Sequence, residues 1–454
     1  MTEALKEALR GDVMNHSEAD AYVPPREAAV RERLEWFRDQ KLALMVHWGV
    51  YAQMGMCESW PLSDGDADWA RRDYTWEKDP ALFRRQYFDM NRSFNPLRFQ
   101  PEEWADFARD AGMRYLIFTT KHHDGFCMYD TQCTDYKVTG ADCPFHTHRY
   151  ANIARHLFDA FRSRGLGIAA YFSKPDWHCP WYWAPGCELP VAHWRNPTYD
   201  PRQRPDLWEK FIAFTHHQMM EIVRDLGPVD ILWLDGGQVG PRNCQDIRLG
   251  ELAARARQVN PGLIIADRTI GGEYENYITP EQQVPDHYIP VPWESCITVG
   301  HSFAFGYEDE LKPLRQLVNL LVDVVGKGGN MALNIGAQPD GRLPLRARER
   351  ALELGAWLKK NGEAIYATRA LPPYFAGEWS FTRGREARYA LWRLPEGKRL
   401  GSSVVLPLSG VREAVLLTEG VPCRTEDRGA FAVVHFPEGL RDACPVCPAL
   451  RINP

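Results

Sequence analysis

Asp235 is the residue whose surroundings most directly suggest chemistry. It follows four apolar or aromatic residues, Ile231–Leu234, and precedes Gly236 and Gly237, so its carboxylate is expected at the mouth of a strand. An aspartate before glycine often only accepts hydrogen bonds from its own turn. Trp233, however, lies two residues earlier on the same strand face, and this pairing favours a functional carboxylate.

Polar or ionisable residues also lie in or directly after the other apolar runs of the chain. Strands that only pack would not carry such groups so regularly, so we expect these side chains to meet at one rim. A carboxylate and a carboxylic acid in such a place can cleave a glycoside, because one attacks the anomeric carbon and the other protonates the leaving oxygen. The other residues of this set are His47, His122, His123, Tyr171, Arg268, Glu294 and Asn334.

Metal binding is the alternative chemistry for an aspartate at this place. Adjacent residues of a strand face opposite sides, so His122 and His123 cannot both bind one ion unless the strand has ended. His216–His217 lies within a helical stretch and is expected to be partly exposed. Cys444 and Cys447 form a single CxxC, whereas a zinc site normally needs a second pair. The sequence therefore predicts no metal and no cofactor, and a metal-dependent barrel hydrolase is the alternative.

The elements that must position these residues alternate between short apolar runs and amphipathic helical stretches from Lys41 to about Asn361. Near-continuous apolar runs of this kind are typical of parallel strands covered by helices. Seven such units, with room for an eighth, predict a regular or irregular (β/α)8-like TIM barrel whose active site lies at the strand ends. The runs are 42–49, 115–125, 167–173, 229–237, 263–268, 293–299 and 328–336, and the helical stretches include 101–112, 153–165, 207–227 and 314–329.

The pattern changes near Leu371, where a pair of prolines begins a region of short alternating runs. Such runs, separated by Gly, Pro and charged turns, predict a C-terminal antiparallel β-sandwich. We therefore divide the chain into an amino-terminal arm over 1–30, a catalytic barrel over 31–370 and a sandwich over 371–454.

Composition narrows the functional class. The chain has 454 residues with a net charge of −6, which argues against nucleic acid or an anionic membrane as partner. No stretch approaches 18 consecutive apolar residues, and the amino terminus lacks the apolar run of a signal peptide. The eleven cysteines are an odd number in a long chain, which favours reduced thiols and a cytoplasmic location. The oligomeric state is left open.

Several segments resemble the α-L-fucosidases of glycoside hydrolase family 29, over residues 34 to 370. The resemblance implies a (β/α) barrel with a carboxy-terminal β-sandwich and retaining exo-hydrolysis of α-L-fucosides, with a fucosylated oligosaccharide as substrate. The segments are WFRDQKLALMVHWGVY, FNPLRFQPEEWADFARDAGMRYLIFTTKHHDGF, DILWLDGG, TPEQQVP, WESCITV and VVGKGGNMALNIG.

The same resemblance implies roles for individual residues. Asp235 matches the nucleophile. Phe303 and Phe305 could form an apolar notch for the methyl group of fucose, or could be ordinary packing. The family usually has Glu-Trp-Tyr after the first strand, whereas this chain has Cys-Glu-Ser-Trp-Pro, so either Glu58 or Trp60 could reach the sugar. The implied contacts to the fucose hydroxyls and ring are His47, His122, His123, Tyr171 and Trp233, with Arg268 beside them.

The acid/base residue is left with three candidates, because family members carry this group in different loops. Glu294 is favoured over Glu281, since the flanking Trp293 would limit solvation and raise the pKa of the carboxyl group. Glu275 is the third candidate. In a retaining enzyme the acid/base carboxyl should lie ~5–5.5 Å from that of Asp235. A fucose-binding protein without activity on the same barrel is a further alternative.

Overall fold

Seven parallel strands form the first part of the structure, a computed structural model that describes residues 16–64, 67–71, 77–186, 192–193, 195–440 and 446–453. Their order is β5-β4-β3-β2-β1-β7-β6, so that strands consecutive in the chain are neighbours around a barrel. The strands are β1 (Leu42–Val46), β2 (Tyr115–Lys121), β3 (Gly167–Ser173), β4 (Ile231–Asp235), β5 (Ile264–Asp267), β6 (Glu294–Thr298) and β7 (Asn330–Asn334).

An irregular segment takes the place of an eighth strand between β5 and β6. Its Asn276 amide donates to Ile265 O at 2.9 Å, and its Ile278 O accepts from Glu294 N at 2.8 Å. Pro280 has no amide proton to donate, which prevents a regular ladder at this point. The barrel is therefore of the predicted class, and the irregularity falls on the stretch that carries Glu281.

Eight α-helices of the described residues accompany the strands. Helix α3 shows why such helices form: Pro101 occupies its first turn, Glu102 and Glu103 follow at the positive end of the dipole, and Trp104 and Phe107 are buried. The helices are α1 (Ala28–Gln40), α2 (Pro80–Phe88), α3 (Pro101–Asp110), α4 (Ile153–Ser163), α5 (Pro205–Asp225), α6 (Leu249–Val259), α7 (Leu314–Gly326) and α8 (Leu345–Asn361).

Strand register fixes the height of each side chain inside the barrel. Asp235 pairs with Ser173 at the carboxyl ends of β4 and β3. Glu294 pairs with Asn330, where β6 and β7 begin. Because the strands are parallel, Asp235 lies at the rim of the barrel and Glu294 lies near its floor.

Eight antiparallel strands form the second domain, in the order β8-β9-β10-β15-β12-β13-β14-β11, around a separate hydrophobic core. The proline pair expected as a boundary instead lies within β8, an edge strand, where the missing amide protons are tolerated. The sequence had not indicated β8, β9 or β13. The strands are β8 (Arg369–Ala376), β9 (Trp379–Arg383), β10 (Arg388–Trp392), β11 (Ser403–Leu406), β12 (Glu413–Leu416), β13 (Val421–Asp427), β14 (Ala432–His435) and β15 (Ala449–Asn453).

The amino-terminal arm and the CxxC motif lie partly outside the described residues. Of the arm, Ser17 donates a hydrogen bond to Glu275 at 2.6 Å and Tyr22 donates one to Asn276 O at 3.2 Å, so the described part lies against the barrel. Cys444 is outside the described residues, and Cys447 is buried. Among the described helices, none combines the length and apolarity needed to cross a bilayer.

Candidate active site

A pocket at the carboxyl ends of the strands is lined by nine of the residues predicted to act on the sugar or to contact it. Its remaining walls come from Met45, Cys296 and Phe303. The predicted residues His123 and Glu294 are not part of the lining, although His123 contacts two residues that are, His122 and Asp235. The nine predicted residues are His47, Glu58, Trp60, His122, Tyr171, Trp233, Asp235, Arg268 and Glu281.

Asp235 is held as a carboxylate by the groups around it. Tyr171 donates a hydrogen bond to Oδ2 at 2.5 Å, and Arg268 donates one to Oδ1 at 2.7 Å. Burial works to raise the pKa of Asp235, but Arg268, His123 and the Tyr171 hydroxyl overcome it and hold the pKa well below its usual range. The group is therefore ionised and aimed into the pocket, as a nucleophile must be.

Arg268 joins Asp235 to a second carboxyl group. Its Nη2 donates to Glu281 Oε2 at 2.6 Å, while Nη1 holds Asp235. The guanidinium also lies over the Trp233 ring, 4.6 Å from the centroid, which fixes its plane. Burial raises the pKa of Glu281, and the charge of Asp235 adds to this, whereas Arg268 opposes both. Two carboxyl groups with oppositely shifted pKa values thus face one another across one cation.

His122 and His123 can turn to the same side because β2 ends at Lys121. His122 and His123 are therefore no longer on opposite faces of a strand, and their rings lie 4.3 Å apart. His122 Nδ1 lies 2.5 Å from Ser59 Oγ, and His123 Nε2 lies 3.7 Å from Asp235 Oδ2. Burial lowers the pKa of His123 to about 4 and that of His122 well below 6.5. Both are neutral imidazoles that can exchange hydrogen bonds with hydroxyl groups.

His47 has a defined tautomer. Its Nδ1 lies 2.8 Å from Asn334 Oδ1, and Asn334 donates its own amide to Phe303 O at 2.7 Å. Because Oδ1 only accepts, Nδ1 must carry the proton, and Nε2 is left as an acceptor. Burial lowers the pKa of His47 to about 4, so it too is neutral.

The carboxylate and two histidines could also hold a cation. The ligand atoms of His122, His123 and Asp235 lie within 4.8 Å of one another. However, the Arg268 guanidinium already occupies Asp235 and places a positive charge beside the group. That charge disfavours a divalent ion at this position.

Aromatic rings form the walls of the pocket. Trp60 stands edge-on to His123 with centroids 5.0 Å apart, and Phe303 lies 5.0 Å from His47. The Arg195 guanidinium lies over the Trp60 ring, 4.6 Å from its centroid. Of the two phenylalanines considered for the apolar notch, Phe303 lines the pocket, whereas Phe305 packs against Tyr307 outside it.

Glu58 brings a third carboxyl group into the pocket. The residue has φ of 49°, a left-handed conformation, and its Oε1 accepts a hydrogen bond from Ala304 N at 2.6 Å. Burial raises the pKa of Glu58 to about 8, with Glu281 and Asp235 adding to the rise and the contacts from Ala304 and Trp60 opposing it. Glu58 is therefore neutral at pH 7 and able to donate a hydrogen bond.

The preferred acid/base candidate, Glu294, lies beneath the pocket rather than in it. It accepts hydrogen bonds from Trp233 Nε1 at 3.0 Å and Tyr277 at 3.4 Å, and from the Tyr115 hydroxyl. Trp293 does not shield it, because adjacent residues of a strand point to opposite sides. The carboxyl of Glu294 is enclosed by partners and has no path to a sugar above Trp233.

Glu275 is also turned away from the pocket. Its carboxylate accepts hydrogen bonds from Ser17 Oγ at 2.6 Å and from the amides of Gly271 and Thr269 at 2.7 and 3.3 Å. These contacts hold the loop after β5 and the amino-terminal arm together. Of the three acid/base candidates, only Glu281 lines the pocket.

Three contributors to the pocket were missed in the sequence. Met45 precedes His47 by two residues, and Cys296 follows Glu294 by two, so strand alternation could have placed both inside the barrel. Ser59, which supports His122, lies in a turn region between Gly55 and Trp60 without any periodic signal. No pattern in the sequence would have found it.

Comparison with known proteins gives a consistent family. The sequence model described as alpha-L-fucosidase matches residues 12–363. The plasma alpha-L-fucosidase of Pongo abelii is 28% identical over 352 residues, covering 74% of this chain and 70% of that protein. Among solved structures, alpha-L-fucosidase isoenzyme 1 from Paenibacillus thiaminolyticus has a TM-score of 0.74 at 28% sequence identity. The match covers 94% of this chain and 99% of that chain.

A second solved structure, the Thermotoga maritima alpha-fucosidase in complex with fucose, has a TM-score of 0.73 at 26% sequence identity. The match covers 95% of this chain and 100% of that chain. The match of the family model extends over most of the chain and includes every residue of the pocket. The chain therefore belongs to the α-L-fucosidase family, glycoside hydrolase family 29.

Proposed function

We propose that this family member hydrolyses terminal α-L-fucosides of oligosaccharides or glycoconjugates, with retention, through a covalent fucosyl-enzyme intermediate. The observation that carries this proposal is the pair of carboxyl groups, Asp235 and Glu281, on the two arms of the Arg268 guanidinium. Carboxyl groups of retaining enzymes are about 5–5.5 Å apart. One guanidinium with two hydrogen bonds spans a gap of that order.

In the first step Asp235 attacks the anomeric carbon. A bond forms between one carboxylate oxygen and C1, the bond from C1 to the leaving oxygen breaks, and Glu281 gives its proton to that oxygen. Asp235 suits this role because its pKa is held well below the usual range. Glu281 suits its own role because burial raises its pKa.

In the second step water releases the sugar. Once Asp235 is an ester it carries no charge, so the contribution of that charge to the pKa of Glu281 disappears. The pKa of Glu281 then falls, and the ionised group can take a proton from water as it attacks C1 from the side that the aglycone left. The two inversions give net retention.

The remaining pocket residues fit the recognition of fucose. Neutral His47, His122 and His123 can donate to and accept from hydroxyl groups, as an uncharged polyol requires. Phe303 offers an apolar wall for the methyl group, and Trp60 offers a ring face or edge for sugar C–H groups. The fucose complex of the related Thermotoga maritima protein supports this choice of sugar.

The test is release of aryl alcohol from an aryl α-L-fucoside, followed by azide rescue of two variants. Asp235→Ala with azide should give β-L-fucosyl azide, because azide replaces the nucleophile and attacks once with inversion. Glu281→Ala with azide should give α-L-fucosyl azide, because azide attacks the covalent intermediate. An α-azide from the Glu58→Ala variant and none from Glu281→Ala would instead assign the acid/base role to Glu58.

The same assay separates the alternatives. Turnover that survives exhaustive chelation excludes the metal-dependent hydrolase, whereas loss of activity restored by a divalent ion would favour it. Binding of fucose without turnover of any fucoside would identify a fucose-binding protein without activity.

We also propose that the enzyme works in the cytoplasm. Buried thiols at Cys127, Cys143 and Cys296 pack as small apolar side chains, which is typical of proteins in a reducing compartment. Subcellular fractionation of the source cells with immunodetection tests this, and recovery of the protein outside the cytoplasmic fraction would contradict it.

A further inference from the structure

A mixed cluster of metal-ligating side chains lies outside the pocket. His217 and Glu221 are four residues apart on α5, so they occupy one face of that helix. Cys133 comes to the same face from the loop that follows β2. The ligand atoms of the three residues all lie within 4.8 Å of one another. We propose that Cys133, His217 and Glu221 form a zinc site that is separate from the active site and fastens this loop to α5.

The distances in the cluster suit a tetrahedral ion. Ligands at about 2.0–2.3 Å from zinc are roughly 3.3–3.8 Å from one another in that geometry. His217 Nε2 lies 3.6 Å from Glu221 Oε1, which is within this range. The half-buried Cys133 thiol supplies the third ligand, since its Sγ lies within 4.8 Å of the ligand atoms of the other two residues. The side chain of His217 is 58% exposed, so water can fill the fourth position and the ion can enter from solvent.

The charge and ligand types favour zinc over other ions. A thiolate and a carboxylate together balance a doubly charged ion, and the imidazole adds a neutral donor. Thiolate with imidazole favours zinc, whereas magnesium and calcium take oxygen ligands alone. The nearby Lys121 does not oppose the ion strongly, because its ammonium is 3.0 Å from the Asp176 carboxylate.

The groups that would orient the ligands are already in place. Thr131 Oγ1 donates to Glu221 Oε2 at 2.5 Å, and Gln132 N donates to Oε1 at 2.8 Å. The Cys133 amide in turn donates to Thr131 Oγ1 at 3.1 Å. Each carboxylate oxygen keeps a lone pair for the ion. Such outer contacts fix the direction of the ligands, as in established metal sites.

Occupation of the site would stabilise the part of the barrel behind the histidines. Gln218, next to His217, accepts a hydrogen bond from Lys121 Nζ at 3.2 Å, and Lys121 directly precedes His122. Zinc is therefore expected to raise the thermal midpoint of the protein without taking part in catalysis. None of the three ligands lines the pocket.

The proposal is tested by titrating ZnCl2 into chelator-treated full-length protein, with a chromophoric chelator as competitor. We expect one equivalent of zinc to bind, a higher melting temperature, and at least about tenfold weaker binding in Cys133→Ser and His217→Ala. Cys244→Ser is the matched control, because it removes another half-exposed thiol away from the cluster. Its zinc affinity should equal that of the wild type.

Cobalt substitution gives a second, independent readout. The wild type with Co²⁺ should show the charge-transfer absorption of a cysteine thiolate ligand, and Cys133→Ser should lack it. Since the His217 side chain is largely exposed, His217→Ala tests the site even if the cysteine variant fails to fold. Zinc affinity unchanged in either ligand variant, or the absence of stoichiometric binding to wild type, overturns the proposal.

Discussion

Two glutamates, the half-buried Glu281 at the rim of the barrel and the buried Glu294 at its floor, differ in what surrounds them. Glu281 is bonded to a cation, Arg268, which it shares with the carboxylate of Asp235. Glu294 is bonded to three neutral donors, on Tyr115, Trp233 and Tyr277. Only the first set contains charges that can change during a reaction.

The Trp233 ring separates the two environments. Its face supports the Arg268 guanidinium at the rim, and its indole nitrogen donates to Glu294 below. A raised pKa is found on both sides, since burial raises it for Glu281 and brings that of Glu294 to about 7. A perturbed pKa alone therefore does not identify the acid/base residue, and access to the sugar decides between the two.

Replacement of each glutamate by glutamine gives the largest expected difference. For a fucoside with a poor leaving group, Glu281→Gln should lower kcat/KM by about 10²–10⁴-fold, because no proton reaches the departing oxygen. Glu294→Gln keeps the shape of the floor and should stay within about tenfold of wild type. Kinetics on a disaccharide and on an aryl fucoside check both values.

The aryl substrate provides the control for this prediction. Its leaving group needs little protonation, so Glu281→Gln should lose much less activity on the first step of that substrate. Equal losses on both substrates, or a larger loss in Glu294→Gln than in Glu281→Gln, would reverse the roles given to rim and floor.

Removing the shared cation gives the next largest effect. Arg268→Met leaves the half-buried Asp235 carboxylate without its guanidinium, so the pKa of Asp235 should rise and the acidic limb of the kcat/KM profile should move to higher pH. We expect a loss on the order of 10²-fold at neutral pH, similar to removing one preorganised charge-stabilising donor. The measurement is a pH–rate profile with an aryl fucoside.

Arg195→Met is the matched variant for that profile. It removes a guanidinium that covers Trp60 at the edge of the pocket, while leaving the contact between Arg268 and Asp235 in place. Its acidic limb should coincide with that of the wild type. A shift as large as in Arg268→Met would mean that the net charge of the pocket, and not the shared contact, controls Asp235.

The same pair of glutamates shows what the sequence could and could not predict. Polar residues after apolar runs placed His47, Tyr171, Asp235 and Arg268 correctly around one pocket, because parallel strands bring their carboxyl ends together. Glu294 is the first residue of its strand and so lies at the opposite end. A residue at the end of a strand can be told from one at its start only if the first residue of the strand is known. The sequence pattern does not fix that residue.

The loops were the less predictable part. Glu281 lies in the irregular segment that replaces an eighth strand, and its position depends on bridges to β6 rather than on any periodicity. Glu58 has a positive φ and is fixed by the amide of Ala304, almost 250 residues away in sequence. Long-range contacts of this kind follow from the complete fold, so local sequence patterns do not predict them. The strands and helices of the barrel, in contrast, follow from local patterns.

A smaller effect is expected from the third carboxyl group at the rim. Burial raises the pKa of Glu58 to about 8, so below that pH it is neutral and can donate to a sugar hydroxyl. The wild-type kcat/KM should therefore fall by about tenfold per pH unit above pH 8. Glu58→Gln keeps an N–H donor at every pH, so it should lack the contribution of Glu58 to the basic limb, keep that of the Glu281 acid, and stay within about tenfold of wild type at pH 7. Preincubation at each pH followed by assay at pH 7 separates ionisation from unfolding.

The smallest effect concerns the stability of the floor. The folded pKa of Glu294 is about 7 against an ordinary 4.5, so between these values the folded state holds a proton that the unfolded state has lost. The free energy of unfolding should therefore decrease as pH rises from 4.5 to 7, with a contribution from this group of up to about 1.4 kcal/mol per pH unit. Glu294→Gln does not titrate, and urea unfolding at pH 5, 6 and 7 should show a flatter dependence on pH than wild type. An unchanged slope would mean that its three donors keep Glu294 ionised in the fold, and the floor would then carry a buried charge as the rim does.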